Sequence, residues 1–328
     1  MRFGAVVAGG VAAVVVGAVA FGYISNRSGE RDPVLAPPSG AAFNEDRALA
    51  KGPNRGSFSV DGRSVAVIDR GAVALAQGGA LKAVSPPGGR VVDFAWMPNS
   101  QAVLVAEGPI PTGQVTVIDF AGKVVGTARL NPSIAFGSGY GMSVDSRGVN
   151  AAVIAVDRDA IGGNERRDLA VIELTTGKVT RLPTPDLDER QPVFIDDNTV
   201  AVLETADIEG GGVARVVAVD LGSGTRTPLD SRATLKVIGA TDDGEVVVSE
   251  RTADNRERVV TLTLAAAKRK VLATLPIGQR AVAADPQARR VLVATNVNVA
   301  SASGTIIVTQ LRAVDIARPS AGGGVNPG

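Results

Sequence analysis

A tight polar turn followed by an apolar run recurs along this chain, and no other feature constrains the fold as strongly. It reads Ser59-Val60-Asp61-Gly62-Arg63 before Val65 to Ile68, and Met97-Pro98-Asn99-Ser100 before Ala102 to Val105. It returns as Val144-Asp145-Ser146-Arg147 before Ala151 to Val156, and as Ile195-Asp196-Asp197-Asn198 before Val200 to Leu203. The last two copies are Thr241-Asp242-Asp243-Gly244 before Val246 to Val248, and Asp285-Pro286-Gln287-Ala288 before Val291 to Val293. Counted from Asp61, Asn99, Asp145, Asp196, Asp243 and Gln287, the spacings are 38, 46, 51, 47 and 44 residues.

A period in that range is the mark of a four-stranded propeller blade, a unit that buries its faces only against its neighbours. The second unit sets the pattern: strands over Val91 to Trp96, Ala102 to Ala106, Gln114 to Phe120 and Val124 to Leu130. Short runs bounded by Gly, Asp, Asn and Pro are all-β punctuation, and no stretch of the body holds a helical period. The expected fold is an all-β propeller of six four-stranded blades, with seven as the alternative, preceded by one N-terminal hydrophobic helix. Within it, Trp96, Phe94 and Val92 alternate on one strand and are expected to pack together in the core.

The expected divisions are 1–24 as a transmembrane signal anchor or signal peptide, 25–55 as a Pro/Gly-rich linker, 56–316 as the propeller, and 317–328 as a disordered tail. The uncharged run Phe3 to Ile24 is long enough to span a bilayer, while Ala18-Val19-Ala20 fits a cleavage site. The body is placed outside the cytoplasm, held at the cell membrane by a single pass, or secreted if cleaved after Ala20. A short helix over Ala41 to Leu49 fits the linker. Ring closure has two solutions: Ala313 to Ile316 supplies the outermost strand of the last unit, or a segment before Gly56 does.

Composition narrows the function. There is no cysteine and no histidine, which removes thiolate sites, the usual metal ligand and any Ser-His-Asp triad. With 34 Lys plus Arg against 33 Asp plus Glu and 3% aromatics, neither a phosphate-binding field nor a base-stacking platform is present. No nucleic-acid partner, cofactor, metal ligand or catalytic residue is assigned.

The turns Val60-Asp61-Gly62-Arg63 and Trp96-Met97-Pro98-Asn99 resemble the turn of TolB-like and WD-repeat-like propellers. So do Val171-Ile172-Glu173-Leu174-Thr175-Thr176-Gly177-Lys178 and Val219-Asp220-Leu221-Gly222-Ser223-Gly224. The likeness covers most of Gly56 to Ile316 and implies the fold, not an activity, since propellers host binders and enzymes alike.

In such a blade the loops after the second and fourth strands leave on one face. The loops after the second strands are long: Glu107 to Gly113, Asp157 to Asp168, Thr205 to Gly212, Arg251 to Arg258 and Asn296 to Gly304. Long loops on a rigid scaffold are where binding sits. The candidate contact residues are Asp157, Asp159, Asn164, Glu165, Arg166, Arg167, Asp207, Glu209, Arg215, Asp254, Arg256 and Arg258. The arginines fit a ring for an acidic ligand or partner, or equally pairs with Asp207, Glu209, Asp254 and Glu257. The Asp157-to-Asp168 loop has a calcium-loop look but carries Ile161 at a ligand position. The reading is a non-catalytic, membrane-tethered extracytoplasmic propeller that binds a protein or cell-envelope component. The alternative is a lactonase-like or quinoprotein-like propeller enzyme holding a cation by carboxylates in the central channel.

Overall fold

The computed structural model describes residues 48–49, 56–69, 71–77, 80–85, 91–108, 112–136, 140–157, 166–184, 187–205, 214–230, 234–264, 268–301 and 304–316. The apolar segment 1–24, most of the linker and the tail 317–328 lie outside the described residues.

Among the described residues all regular structure is strand. Ala48–Leu49 form β1; Gly56–Phe58, Val65–Asp69, Ala72–Gln77 and Ala80–Ala83 form β2 to β5. Val91–Trp96, Ala102–Glu107, Thr112–Asp119 and Val124–Phe136 form β6 to β9. Met142–Val144, Asn150–Asp157, Arg166–Glu173 and Val179–Leu182 form β10 to β13. Asp188–Phe194, Thr199–Thr205, Ala214–Asp220 and Arg226–Asp230 form β14 to β17. Thr234–Ala240, Val246–Arg251, Glu257–Leu262 and Arg269–Thr274 form β18 to β21. Gln279–Ala284, Arg290–Ser301 and Gly304–Asp315 form β22 to β24.

The recurrent turn joins the first and second strand of each group, and its hydrogen bonding explains why its sequence is loose. In most copies the fourth residue donates its N–H to the carbonyl of the first: Gly62 to Ser59, Ser100 to Met97, Gly148 to Asp145, Gly244 to Thr241 and Ala288 to Asp285. Each of those fourth residues has a φ between 49° and 77°. Where the first residue is Ser, Thr or Asp, its side chain ties off the turn. Asp145 Oδ1 accepts from Val149 N at 2.7 Å, Asp285 Oδ1 from Arg289 N at 2.6 Å and Thr241 Oγ1 from Glu245 N at 3.1 Å. The turn needs an oxygen acceptor and a left-handed residue, a requirement several residue types meet.

The first strands β2, β6, β10, β14, β18 and β22 lie beside one another in that cyclic order, and β22 returns to β2. Buried apolar clusters fill the space between consecutive groups. Leu75 and Val103 pack between the first two, Leu104 and Val153 between the next two, and Ile154 and Val202 beyond them. Phe58, Leu292 and Leu311 close the circle between the last group and the first. These fully buried branched side chains contribute roughly 1.5–3 kcal/mol each to the fold.

The expected six separate blades are corrected by the hydrogen-bonded sheets. Four four-stranded sheets stand alone, while β6 to β13 form one eight-stranded sheet. The cause is β9, which runs thirteen residues and pairs Phe136 with Ala155 and Ala135 with Val156 of β11. Closure also departs from one of the two expected solutions. Ala313 to Asp315 continue β24, and the outermost strand of that sheet is β1, with Ala48 opposite Gln310 and Leu49 opposite Thr309. Those two residues are therefore strand, not part of a helix over 41–49. Finally, Val92 does not share a face with Phe94 and Trp96. A bulge between Val91 and Asp93 reverses the alternation, so Val92 packs towards the following group while Phe94 and Trp96 pack towards the preceding one. Trp96 is core, 5% exposed, with its ring 5.8 Å from Phe120 and its N–H donated to Ser57 O.

Candidate functional site: the loop face beside the third and fourth strand groups

Neighbouring turns between first and second strands are bonded to each other round one face. Asp61 N donates to Ser100 Oγ at 3.0 Å, Ser146 Oγ to Asp197 Oδ1 at 2.6 Å, and Asp242 N to Pro286 O at 2.8 Å. Arg290 Nη2 donates to Gly62 O and joins the last turn to the first. Because each group is an antiparallel meander, the loops after its second and fourth strands leave from the opposite end. The loop face is that opposite end.

Strand extends into two of the expected long loops. Arg166 to Asp168 open β12, and Asn296 to Ser301 pair with Gly304 to Thr309 as an extended hairpin. Of the candidate residues, Asp159, Asn164, Glu165, Asp207 and Glu209 lie outside the described residues. Asp157 ends β11 opposite Arg166.

The arginines do not converge on one point; carboxylates of the fold engage them. Arg166 Nε donates to Asp168 Oδ1 at 3.0 Å and its Nη2 to Thr184 O at 3.1 Å. Arg167 pairs with Asp188 at 3.3 Å, and Arg215 with Glu204 at 2.7 Å. Arg258 pairs with Glu250 rather than Glu257, whose Oε2 accepts from Ser249 Oγ and Ala281 N. Arg256 pairs with Asp254 at 2.6 Å, and that bond with the Thr252 hydroxyl's draws the Asp254 carboxyl down to about 2.

Sequence reading missed the polar cluster beneath this face. Glu189 and Glu204 are both fully buried and sit directly opposite each other on β14 and β15. Arg226 Nη1 donates to Glu189 Oε1 at 2.5 Å and Glu204 Oε1 at 2.7 Å, and its Nη2 to Leu182 O at 2.6 Å. Glu189 also accepts from Thr184 Oγ1 at 3.0 Å and from Leu169 N. Burial pushes the Glu189 carboxyl above its ordinary range, against the pull of the Leu169 N–H and Arg226. The next group repeats the device: Arg258 of β20 and Arg269 of β21 both bond Glu250 of β19. A Glu at the end of a second strand with Arg on the third and fourth was the available signal, at Glu204/Arg215/Arg226 and Glu250/Arg258/Arg269. Lys236 on β18 donates to Ala281 O, and burial lowers its ammonium pKa despite Glu257 at 4.0 Å.

At the inner edge of the same face, Tyr140 lies under two guanidinium groups, Arg167 at 4.7 Å and Arg190 at 5.5 Å from the ring centre. Among the described residues, no group of three or more acidic side chains is placed to hold a metal ion.

No protein-family model matches the chain, and no curated protein sequence matches it. Solved structures do. An oligogalacturonate lyase in complex with manganese aligns over 81% of this chain and 89% of its own, at 10% identity and a TM-score of 0.55. A protein assigned as TolB from Agrobacterium tumefaciens aligns over 81% and 86%, at 12% identity and 0.51. TolB from Acinetobacter baumannii aligns over 76% of this chain at 17% identity and 0.47; the chain spans 61% of that protein's length. The chain is an all-β protein with the propeller fold of TolB-like structures, and the likeness is one of fold.

Proposed function

We propose that this protein is a non-catalytic propeller, tethered outside the cytoplasmic membrane, that holds a protein or cell-envelope component on its loop face. One observation carries the reading. The turn face is occupied by its own turn-to-turn hydrogen bonds, and the loops after the second strands leave from the opposite face. A rigid ring that carries its loops on the face opposite its braced turns is a scaffold suited to recognition. The apolar run Phe3 to Ile24 supports the tether, which raises the local concentration of a membrane-proximal partner, so modest affinity suffices.

Photo-crosslinking in the native cells tests this, with the probe at Asn164, between β11 and β12 in the chain. The control probe sits at Gly222, an exposed position in the turn between β16 and β17. A discrete adduct from Asn164 alone is the expected result. Adducts of equal yield from both positions, or none from either, overturn the assignment of the face. Recovery in the membrane fraction after an alkaline wash, lost on deleting residues 1–24, is expected of the tether.

A further inference from the structure

We propose that Arg190, Arg167 and Tyr140 form a subsite for a carboxylate group at the inner edge of the loop face, a proposal that rests on that face being the binding face. Arg190 is a partly buried cation to which the described residues offer no counter-charge. Among the described residues its guanidinium makes no hydrogen bond and no ion pair; its one described contact is the Tyr140 ring. Its Nε is buried and without an acceptor. A buried N–H of a cation without an acceptor is costly and rare in native structures, so its retention calls for a ligand or a role.

The position is built, not incidental. Arg190 stands at a bulge: Arg190 faces Leu203 and Val193 faces Ala201, so β14 carries one extra residue there. That stretch includes Gln191 with φ at 54°, an unusual conformation for a residue with a side chain. Two bonds pin it. Its N–H donates to Tyr140 O, and its Oε1 accepts from Val237 N at 2.9 Å. Gly141 makes the approach possible, because a Cβ there would stand 2.6 Å from Gln191 Cα and 3.0 Å from Pro192 Cδ. Backbone strain is thus held by three successive strand groups at the residue next to Arg190. Bulges of this kind re-aim a side chain.

The chemistry selects the ligand. Carboxylates already stand at this edge, Asp188 on Arg167 at 3.3 Å and Asp93 accepting from Gly141 N at 2.9 Å, so a singly charged anion suits Arg190 better than a more highly charged one. A dianionic phosphate would be repelled by Asp188 and Asp93 more strongly than a carboxylate. The planar Arg190 fork fits a carboxylate through two parallel bonds. The Tyr140 hydroxyl, which makes no hydrogen bond among the described residues, adds a donor at the same ring. The source is an acidic side chain of a protein partner, which a free metabolite carboxylate would imitate.

The test uses the full chain in detergent, with acetate, glutarate and inorganic phosphate titrated at matched ionic strength. The readouts are the unfolding midpoint and the ¹⁵Nε resonance of Arg190. A saturable shift in both with the carboxylates, larger than with phosphate, is expected. In Arg190→Gln the apparent affinity should fall about tenfold or more, and Tyr140→Phe should weaken it with the ligand-free midpoint unchanged. Arg190→Lys, which keeps the charge and loses the fork, should fall between. Equal responses to all three anions, or a carboxylate response untouched in Arg190→Gln and Arg190→Lys, overturn the proposal. A retained Asn164 adduct with no carboxylate response removes the subsite alone; a carboxylate response with no adduct removes the protein-partner reading alone.

Discussion

Glu189 and Glu204 face each other across β14 and β15, both fully buried, and one nitrogen of Arg226 is bonded to both. Two carboxylates in that position repel, so the guanidinium, reaching in from β17, is what makes the arrangement tenable. It also ties β17 to the end of β13 through Leu182 O.

Arg226→Met is therefore expected to cost about 3–5 kcal/mol of stability, because it removes the cation that holds two facing buried acids and leaves Glu189 without a counter-charge. Urea unfolding measures this. Adding Glu189→Gln to Arg226→Met should recover part of the loss; strict additivity of the two changes would show that the contacts are not coupled.

The pH dependence of Glu189 follows from the direction of its shift. Its folded pKa is raised above the ordinary 4.5, so the folded protein holds the proton more tightly than the unfolded chain. Its contribution is fully present below the unfolded value and is lost as pH rises through the folded one. The stability difference, wild type minus Glu189→Gln, should fall as the pH is raised above 4.5. Denaturation series across that range check it, and a difference that grows with pH contradicts it.

Gly177 and Gly224 occupy the same turn position in successive groups, with φ at 72° in both. A Cβ at Gly224 meets nothing within 4 Å, whereas at Gly177 it would overlap the Arg129 carbonyl oxygen at 1.5 Å. Gly224→Ala should cost about 1 kcal/mol from backbone conformation alone. Gly177→Ala should cost roughly 1–3 kcal/mol more, since backbone must move. Comparable midpoints for the two variants would contradict the contact between β9 and the turn after β12.

Arg290 latches the ring. It donates to Gly62 O, pairs with Asp285 at 3.4 Å and lies 5.2 Å from the Phe58 ring centre. Arg290→Met is expected to lose about 2 kcal/mol. Hydrogen exchange should show the loss of protection concentrated in β2 to β5 and β22 to β24; a uniform loss over the whole ring would argue against a latch.

The sequence by itself determined the strands, the turns that join them and the propeller architecture. Those features are local: an acceptor at the first turn residue, a left-handed fourth residue, and an apolar run suffice at Asp145 to Val156 whatever lies elsewhere. Only the tertiary structure decided how the units join and where the charges rest. The fusion of two units through β9, the closing of the last sheet by Ala48 and Leu49, and the Glu189–Arg226–Glu204 cluster all join residues distant in sequence. Single extra residues decided the rest. The bulges beside Asp93 and Arg190 move a side chain from one face to the other, and a period-two pattern cannot register an insertion of one.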